Sequence, residues 1–130
     1  MDSDGGEAMR RPKVYISGPI SNGSKATAEE RMVNVSRACS KFLQIVDLGF
    51  APVLPQLTEF VEKLTGVQLP HDKWMEIDLP WVEEADAVYR MSGESVGSDI
   101  EVEHAMKLDI PVFRDLIAMY THFKVLGRVP

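Results

Sequence analysis

Short β-branched or aromatic runs, each stopped by glycine or proline, alternate along this chain with longer stretches of helical periodicity. That alternation constrains the fold more than any other feature. Strands separated by helix-length segments join in parallel and need helices over both faces of the sheet. Lys13-Val14-Tyr15-Ile16-Ser17 reads as a first strand, ended by Gly18-Pro19. Residues 50–54, 85–91 and 110–113 read as three more, the second weakened by Pro52.

The intervening segments carry helix signals. Thr27 and Glu30 have capping-box spacing. Met32, Val35, Cys39, Phe42, Leu43 and Val46 then recur at three- and four-residue steps, and Gly49 stands where a helix would end. Residues 56–66 suggest a second helix with Leu57, Phe60, Val61 and Leu64 on one side. A third covers 71–85, where Pro80 predicts a kink or a new start near Asp78-Leu79. The last two are expected at 98–108 and 115–125. The expected architecture is one α/β domain over residues 12–130, Rossmann-like or flavodoxin-like, with a doubly wound parallel sheet flanked by helices. A disordered lead-in over 1–11 precedes it.

Charge and cysteine usage narrow the function. The formal net charge is −6 with no run of lysine or arginine, so the chain is poorly equipped to grip a nucleic-acid backbone. A small anion is still admissible, because a helix N-terminus binds phosphate whatever the total charge. Cys39 is the single cysteine and falls in an apolar stripe, which points to packing in a reducing compartment. No stretch approaches the ~20 apolar residues of a membrane span. With an acidic, polar start at Met1-Asp2-Ser3-Asp4, a cytoplasmic protein is expected. His71, His104 and His122 show no metal-ligand spacing, and no Walker loop or nucleophile-elbow motif occurs. Neither metal nor organic cofactor is expected. His104 is expected to face solvent.

Open parallel sheets bind ligands outside the carboxyl ends of their strands. That rule selects the Gly- and Ser-rich loops 17–23 and 92–98. Beside the second, a helical wheel gives an inward face of Val102, Ala105, Met106 and Leu108, with Glu101 inside the stripe in the first helical turn. A buried carboxylate is costly, and the helix N-terminus would keep it ionised. Ser98-Asp99-Ile100-Glu101 is equally a capping box, which would make Glu101 structural. Asp78 is the second carboxylate, or else the N-cap of Asp78-Leu79-Pro80-Trp81. Asp86, at a strand start, reads as structural.

Taken together, three blocks resemble the nucleoside 2-deoxyribosyltransferase superfamily. They are Val14-Tyr15-Ile16-Ser17-Gly18-Pro19-Ile20, Asp78-Leu79-Pro80-Trp81-Val82-Glu83-Glu84-Ala85-Asp86-Ala87-Val88, and Ser95-Val96-Gly97-Ser98-Asp99-Ile100-Glu101-Val102-Glu103-His104-Ala105. Within the superfamily the likeness is nearest to the 2′-deoxynucleoside 5′-monophosphate N-glycosidases and the cytidine-monophosphate hydrolases, and it runs in order from Lys13 to about Phe113.

The resemblance implies Glu101 as nucleophile and Asp78 as the assisting carboxylate. It places Tyr15, Gly18, Pro19, Ile20, Ser21, Asn22 and Gly23 along the substrate pocket. Ser95 and Gly97 would serve the 5′-phosphate, where nucleoside transferases carry an aspartate in place of Ser95. It further implies a homodimer or larger assembly with a shared site. Two positions depart from the pattern: Glu103 where the family often has glycine, and Ser21 where the hydrolases carry an arginine.

The expected reaction is hydrolysis of the N-glycosidic bond of a (deoxy)nucleoside 5′-monophosphate through a glycosyl-Glu101 intermediate. Base exchange between deoxynucleosides is the alternative within enzymes. A catalytically silent nucleotide-binding module is the alternative outside them.

Overall fold

The computed structural model describes residues 10–20 and 26–130. The lead-in over 1–9 and the loop residues Ser21, Asn22 and Gly23 lie outside the described residues. Arg11 belongs to the fold, donating from Nη1 to the carbonyls of Val46 and Phe50, each at 2.9 Å.

Four parallel strands form the sheet in the order β2-β1-β3-β4. They are β1 (Lys13–Ser17), β2 (Ala51–Val53), β3 (Ala87–Arg90) and β4 (Val112–Phe113). Among the described residues five α-helices flank them: α1 (Ala28–Asp47), α2 (Glu59–Thr65), α3 (His71–Glu83), α4 (Val96–Lys107) and α5 (Leu116–Val125). A 3₁₀ turn, Pro55–Thr58, leads into α2. The α/β expectation holds. The strand order reverses between β1 and β3, which makes the crevice beyond their carboxyl ends the switch point.

Strand parity divides the core. Val14 and Ile16 of β1, with Ala87 and Tyr89 of β3, pack against Ala38 and Ile45 of α1 and Met119 and Phe123 of α5. Phe50 meets Phe123 edge-on at 5.4 Å there. Tyr15 and Val88 point the other way, onto Val82 of α3 and Ala105 of α4. Ser17 and Arg90, two residues further along, share that second face. Parity therefore brings Tyr15, Ser17 and Arg90 under α3 and α4.

Local signals set several boundaries. Thr27 caps α1 in a reciprocal capping box, with Glu30 N donating to Oγ1 at 3.1 Å and Thr27 N to Oε1 of Glu30 at 2.9 Å. The buried stripe of α1 is Asn34, Val35, Ala38 and Ile45, rotated from the expected one. Leu43 is 64% exposed, on the side of the helix away from Ala38, while Cys39 and Phe42 pack partly buried against the core. On α2, Val61 and Leu64 are exposed, as is Leu57 of the turn, and only Phe60 of that apolar side is half-buried among the described residues.

Two expected helix starts, near Asp78-Leu79 and at Ser98, are corrected. Pro80 does not break α3, which runs through it from His71 to Glu83. Pro80 itself is exposed, so water can take up the carbonyl bond that the ring forfeits, while Val82, fully buried, anchors the last turn. Asp78 is thus mid-helix and not an N-cap.

The second concerns α4, which begins at Val96 rather than Ser98. Ser95 is its N-cap, accepting from Ser98 N at 3.0 Å. Ser98 and Glu101 therefore form no capping box, and Glu101 lies in the second turn. The buried face of α4 is Ser98, Glu101 and Ala105, at helical spacing, while Met106 (65%) and Leu108 (47%) face outward.

Candidate active site

A cavity of about 400 Å³ opens at the switch point. Its floor is Gly18 at the end of β1 and Glu101 of α4. Ser95 to Ser98 line the α4 side, His71, Trp74, Met75 and Asp78 of α3 form one wall, and Gln56 and Glu59 close the β2 side.

The end of β1 is built for close approach. A Cβ on Gly18 would stand 3.0 Å from Cβ of Met91 and 3.3 Å from Nε2 of Gln56. Gly93, at φ +122°, accommodates Pro19, whose Cγ would meet a Cβ there at 2.8 Å. Asn34 Nδ2 donates to the Ile20 carbonyl at 2.9 Å and so fixes another residue of the lining.

Glu101 is 5% exposed, and both its oxygens are held. Tyr15 OH donates to Oε2 at 2.7 Å and Ser17 Oγ donates to Oε1 at 2.7 Å. Two hydroxyl donors fix the carboxylate plane without supplying a counter-charge. Burial pushes the Glu101 carboxyl up to about 7; the hydrogen bonds from Ser17 and Tyr15 pull it down, Asp78 pushes it up, and Arg90 pulls it down. Helix-terminus stabilisation was expected to keep it ionised, but in the second turn burial outweighs that field.

Asp78 is likewise pushed up by burial, to about 6. Tyr15 is moved far upward, first by burial and then by the charges of Glu101 and Asp78, so its phenol stays a donor. Two carboxyls titrating near neutrality on the wall of one cavity are characteristic of acid–base and nucleophilic chemistry.

Of the residues selected from sequence, Glu101, Asp78, Gly18, Ile20, Ser95 and Gly97 all line this cavity. Tyr15 does not lie in a lining loop; it sits on β1 and reaches Glu101 from beneath. Pro19 is buried against Gly93 and is not part of the lining. Asp86 is structural as expected, its Oδ2 accepting from Lys13 N at 2.7 Å. His104 is partly covered and meets Oε2 of Glu83 at 2.8 Å, joining α4 to α3. Glu103 is exposed and pairs with Lys107 at 3.2 Å, away from the residues that line the cavity.

Sequence reasoning missed four contributors. Ser17 reads from sequence as a strand end and the first residue of the loop 17–23, with no role at Glu101, although its parity with Tyr15 places both on one face. Gln56, 2% exposed, donates to the Ile16 carbonyl at 3.1 Å, and its Oε1 has no partner. Arg31 holds Glu59 through two bonds of 2.7 Å and reaches Glu62 at 3.9 Å. Arg90, the fourth, ends β3 as the register partner of Ser17. Only the charged residue ending a buried strand could have signalled it.

Among the described residues, four carboxylates and one arginine line the cavity. An anionic group is therefore best accommodated at the start of α4, where the helix N-terminus and hydroxyls of Ser95 and Ser98 gather. Ser95 Oγ spends a lone pair on Ser98 N, which leaves its proton to donate. Among the described residues no group of three His, Cys, Asp or Glu side chains converges as metal ligands, and no helix is long and apolar enough to cross a membrane. The sequence matches no protein-family model and no curated protein.

Proposed function

We propose that this protein is an N-glycosidase acting on (deoxy)nucleoside 5′-monophosphates, with Glu101 as nucleophile and Asp78 as the proton donor to the base. The observation that carries the reading is the buried Glu101 carboxyl and the half-buried Asp78 carboxyl on one cavity, with Glu101 oriented by Tyr15 and Ser17. The likeness of the three sequence blocks to nucleoside 2-deoxyribosyltransferases adds the substrate class.

An oxygen of ionised Glu101 attacks C1′ as the C1′–N bond breaks, and the leaving base takes the proton held by Asp78. Water then attacks C1′ of the glycosyl ester and gives its proton to the Asp78 carboxylate. Glu101 is released with its charge, and the products are free base and sugar 5-phosphate. The amides of the first turn of α4 and the Ser95 hydroxyl receive the phosphate. A second copy of the chain completing the site belongs to the same proposal.

A screen of nucleosides and 5′-monophosphates, reading free base by chromatography with and without an added acceptor base, tests it. Free base with sugar phosphate supports hydrolysis, and a new nucleoside in the presence of acceptor replaces it with base exchange. Calorimetric binding of a nucleotide without any released base would instead make the protein a silent binding module.

A further inference from the structure

Arg90 is the one buried arginine among the described residues, at 5% exposure, and the proposed chemistry gives it no role. It ends β3, so its side chain shares the Tyr15 and Ser17 face of the sheet. Nη1 donates to the Met91 carbonyl, and Nη2 donates to the Gly93 carbonyl at 2.9 Å. Its carboxylate partner is Asp99 at 3.3 Å, whose side chain is 73% exposed. Nε is buried with no partner.

A buried guanidinium with a weak, solvated counter-ion and an unsatisfied N–H is a net cost to folding. A leucine there would extend the apolar face at no such cost. The arrangement has two consequences at the cavity. The loop from Met91 to Gly93 is wrapped around the guanidinium, which sets where Ser95 and the first turn of α4 lie. Its positive charge also lies next to the Glu101 site, because Arg90 is the register partner of Ser17, whose hydroxyl donates to Glu101.

We propose that Arg90 is a positioning residue for the reaction, tying the β3–α4 loop to the start of α4 and supplying the fixed positive charge against which Glu101 becomes a carboxylate. The groups that face Glu101 are Tyr15 and Ser17 from β1, Asp78 from α3 and Arg90 from β3. Asp78 opposes ionisation of Glu101, the two hydroxyls favour it, and Arg90 alone among them favours it with a full charge. Calling the supported step glycosyl transfer rests on the proposed function; the electrostatic and loop-holding roles do not.

The test follows the side-chain carboxyl of Glu101 by carbon NMR titration, with amide exchange over residues 92–95, in substrate-free wild type, Arg90→Gln and Arg90→Lys. Arg90→Gln should raise the Glu101 midpoint by roughly half a pH unit, less than loss of either hydroxyl bond, which acts on the carboxylate directly. Arg90→Lys should leave the midpoint near that of wild type while speeding loop exchange about tenfold, since an ammonium cannot span both carbonyls. A folded Arg90→Gln with the wild-type midpoint overturns the proposal. Should Arg90→Gln fail to fold, wild-type loop exchange in Arg90→Lys overturns it, and faster exchange with an unmoved midpoint supports it. Neither reading needs turnover, so an inactive protein that passes both would refute only the glycosidase assignment.

Discussion

The phenol of Tyr15 donates to Oε2 of Glu101 at 2.7 Å across 86 positions of sequence, with both side chains buried between the sheet and α4. The bond favours the charged carboxylate, in opposition to burial. Tyr15→Phe removes that bond and keeps the ring. Glu101 should then titrate above about 7. Turnover should fall about tenfold near neutral pH, and the pH optimum should move upward. A pH series of kcat/KM checks this, and a uniform loss at every pH would contradict it.

Removing the nucleophile has a larger effect. Glu101→Ala should lower kcat/KM by at least about a thousandfold on a confirmed substrate. Circular dichroism and nucleotide-binding calorimetry serve as fold controls. Wild-type turnover in this variant would end the glycosidase reading.

The pH profile depends on both carboxyls. With Asp78 near 6 and Glu101 near 7, the singly protonated pair keeps its proton mainly on Glu101, and the reactive form, with Glu101 ionised and the proton on Asp78, is the minor tautomer of that state. Below this range both are protonated and no nucleophile remains; above it neither has a proton for the base. kcat/KM should therefore peak between about pH 6 and 7, and a flat profile across that range would show that this pair does not govern the rate.

Stability should carry the opposite signature. Folding raises the Glu101 carboxyl from 4.5 to about 7, so the folded state holds that proton more tightly than the unfolded state. Its contribution is fully present below about pH 4.5 and is lost as pH rises through about 7. Glu101→Gln preserves the shape and cannot ionise. It should melt higher than wild type at pH above 7, by up to about 3 kcal/mol, with the gap closing in acid. Thermal melts of both proteins at several pH values decide it.

Gly18→Ala places a methyl 3.0 Å from Cβ of Met91 and 3.2 Å from its Sδ. Met91 is core and 4% exposed, so the strain should cost about 1–3 kcal/mol. Denaturant unfolding would reveal this, and an unchanged midpoint would mean that β1 and Met91 separate freely.

Elements whose signals are local were legible in the sequence. The Thr27–Glu30 box and the Val14-Tyr15-Ile16 run were placed correctly because caps and strand parity act within a few residues. The start of α4 was misplaced because Ser98-Asp99-Ile100-Glu101 imitates a capping box while Ser95 makes the actual cap bond. Glu101 and Asp78 could be selected, but not their environment. The donors to Glu101 come from β1, at separations of 86 and 84 residues, and only the folded sheet brings them there. The continuity of α3 through Pro80 is a tertiary override, in which anchoring of Val82 outweighs a local preference against helix.

The edge strand β2 bears on how this molecule behaves in company. Ala51 N donates inward to the Pro12 carbonyl at 2.9 Å, so by alternation the backbone of Pro52 is turned outward. An imino nitrogen stands there in place of an amide, at the centre of only three residues. A foreign extended segment approaching this flank finds no donor at its midpoint and too little length to zip onto. Lateral recruitment into aggregates through this border is disfavoured by the same proline that weakens the strand.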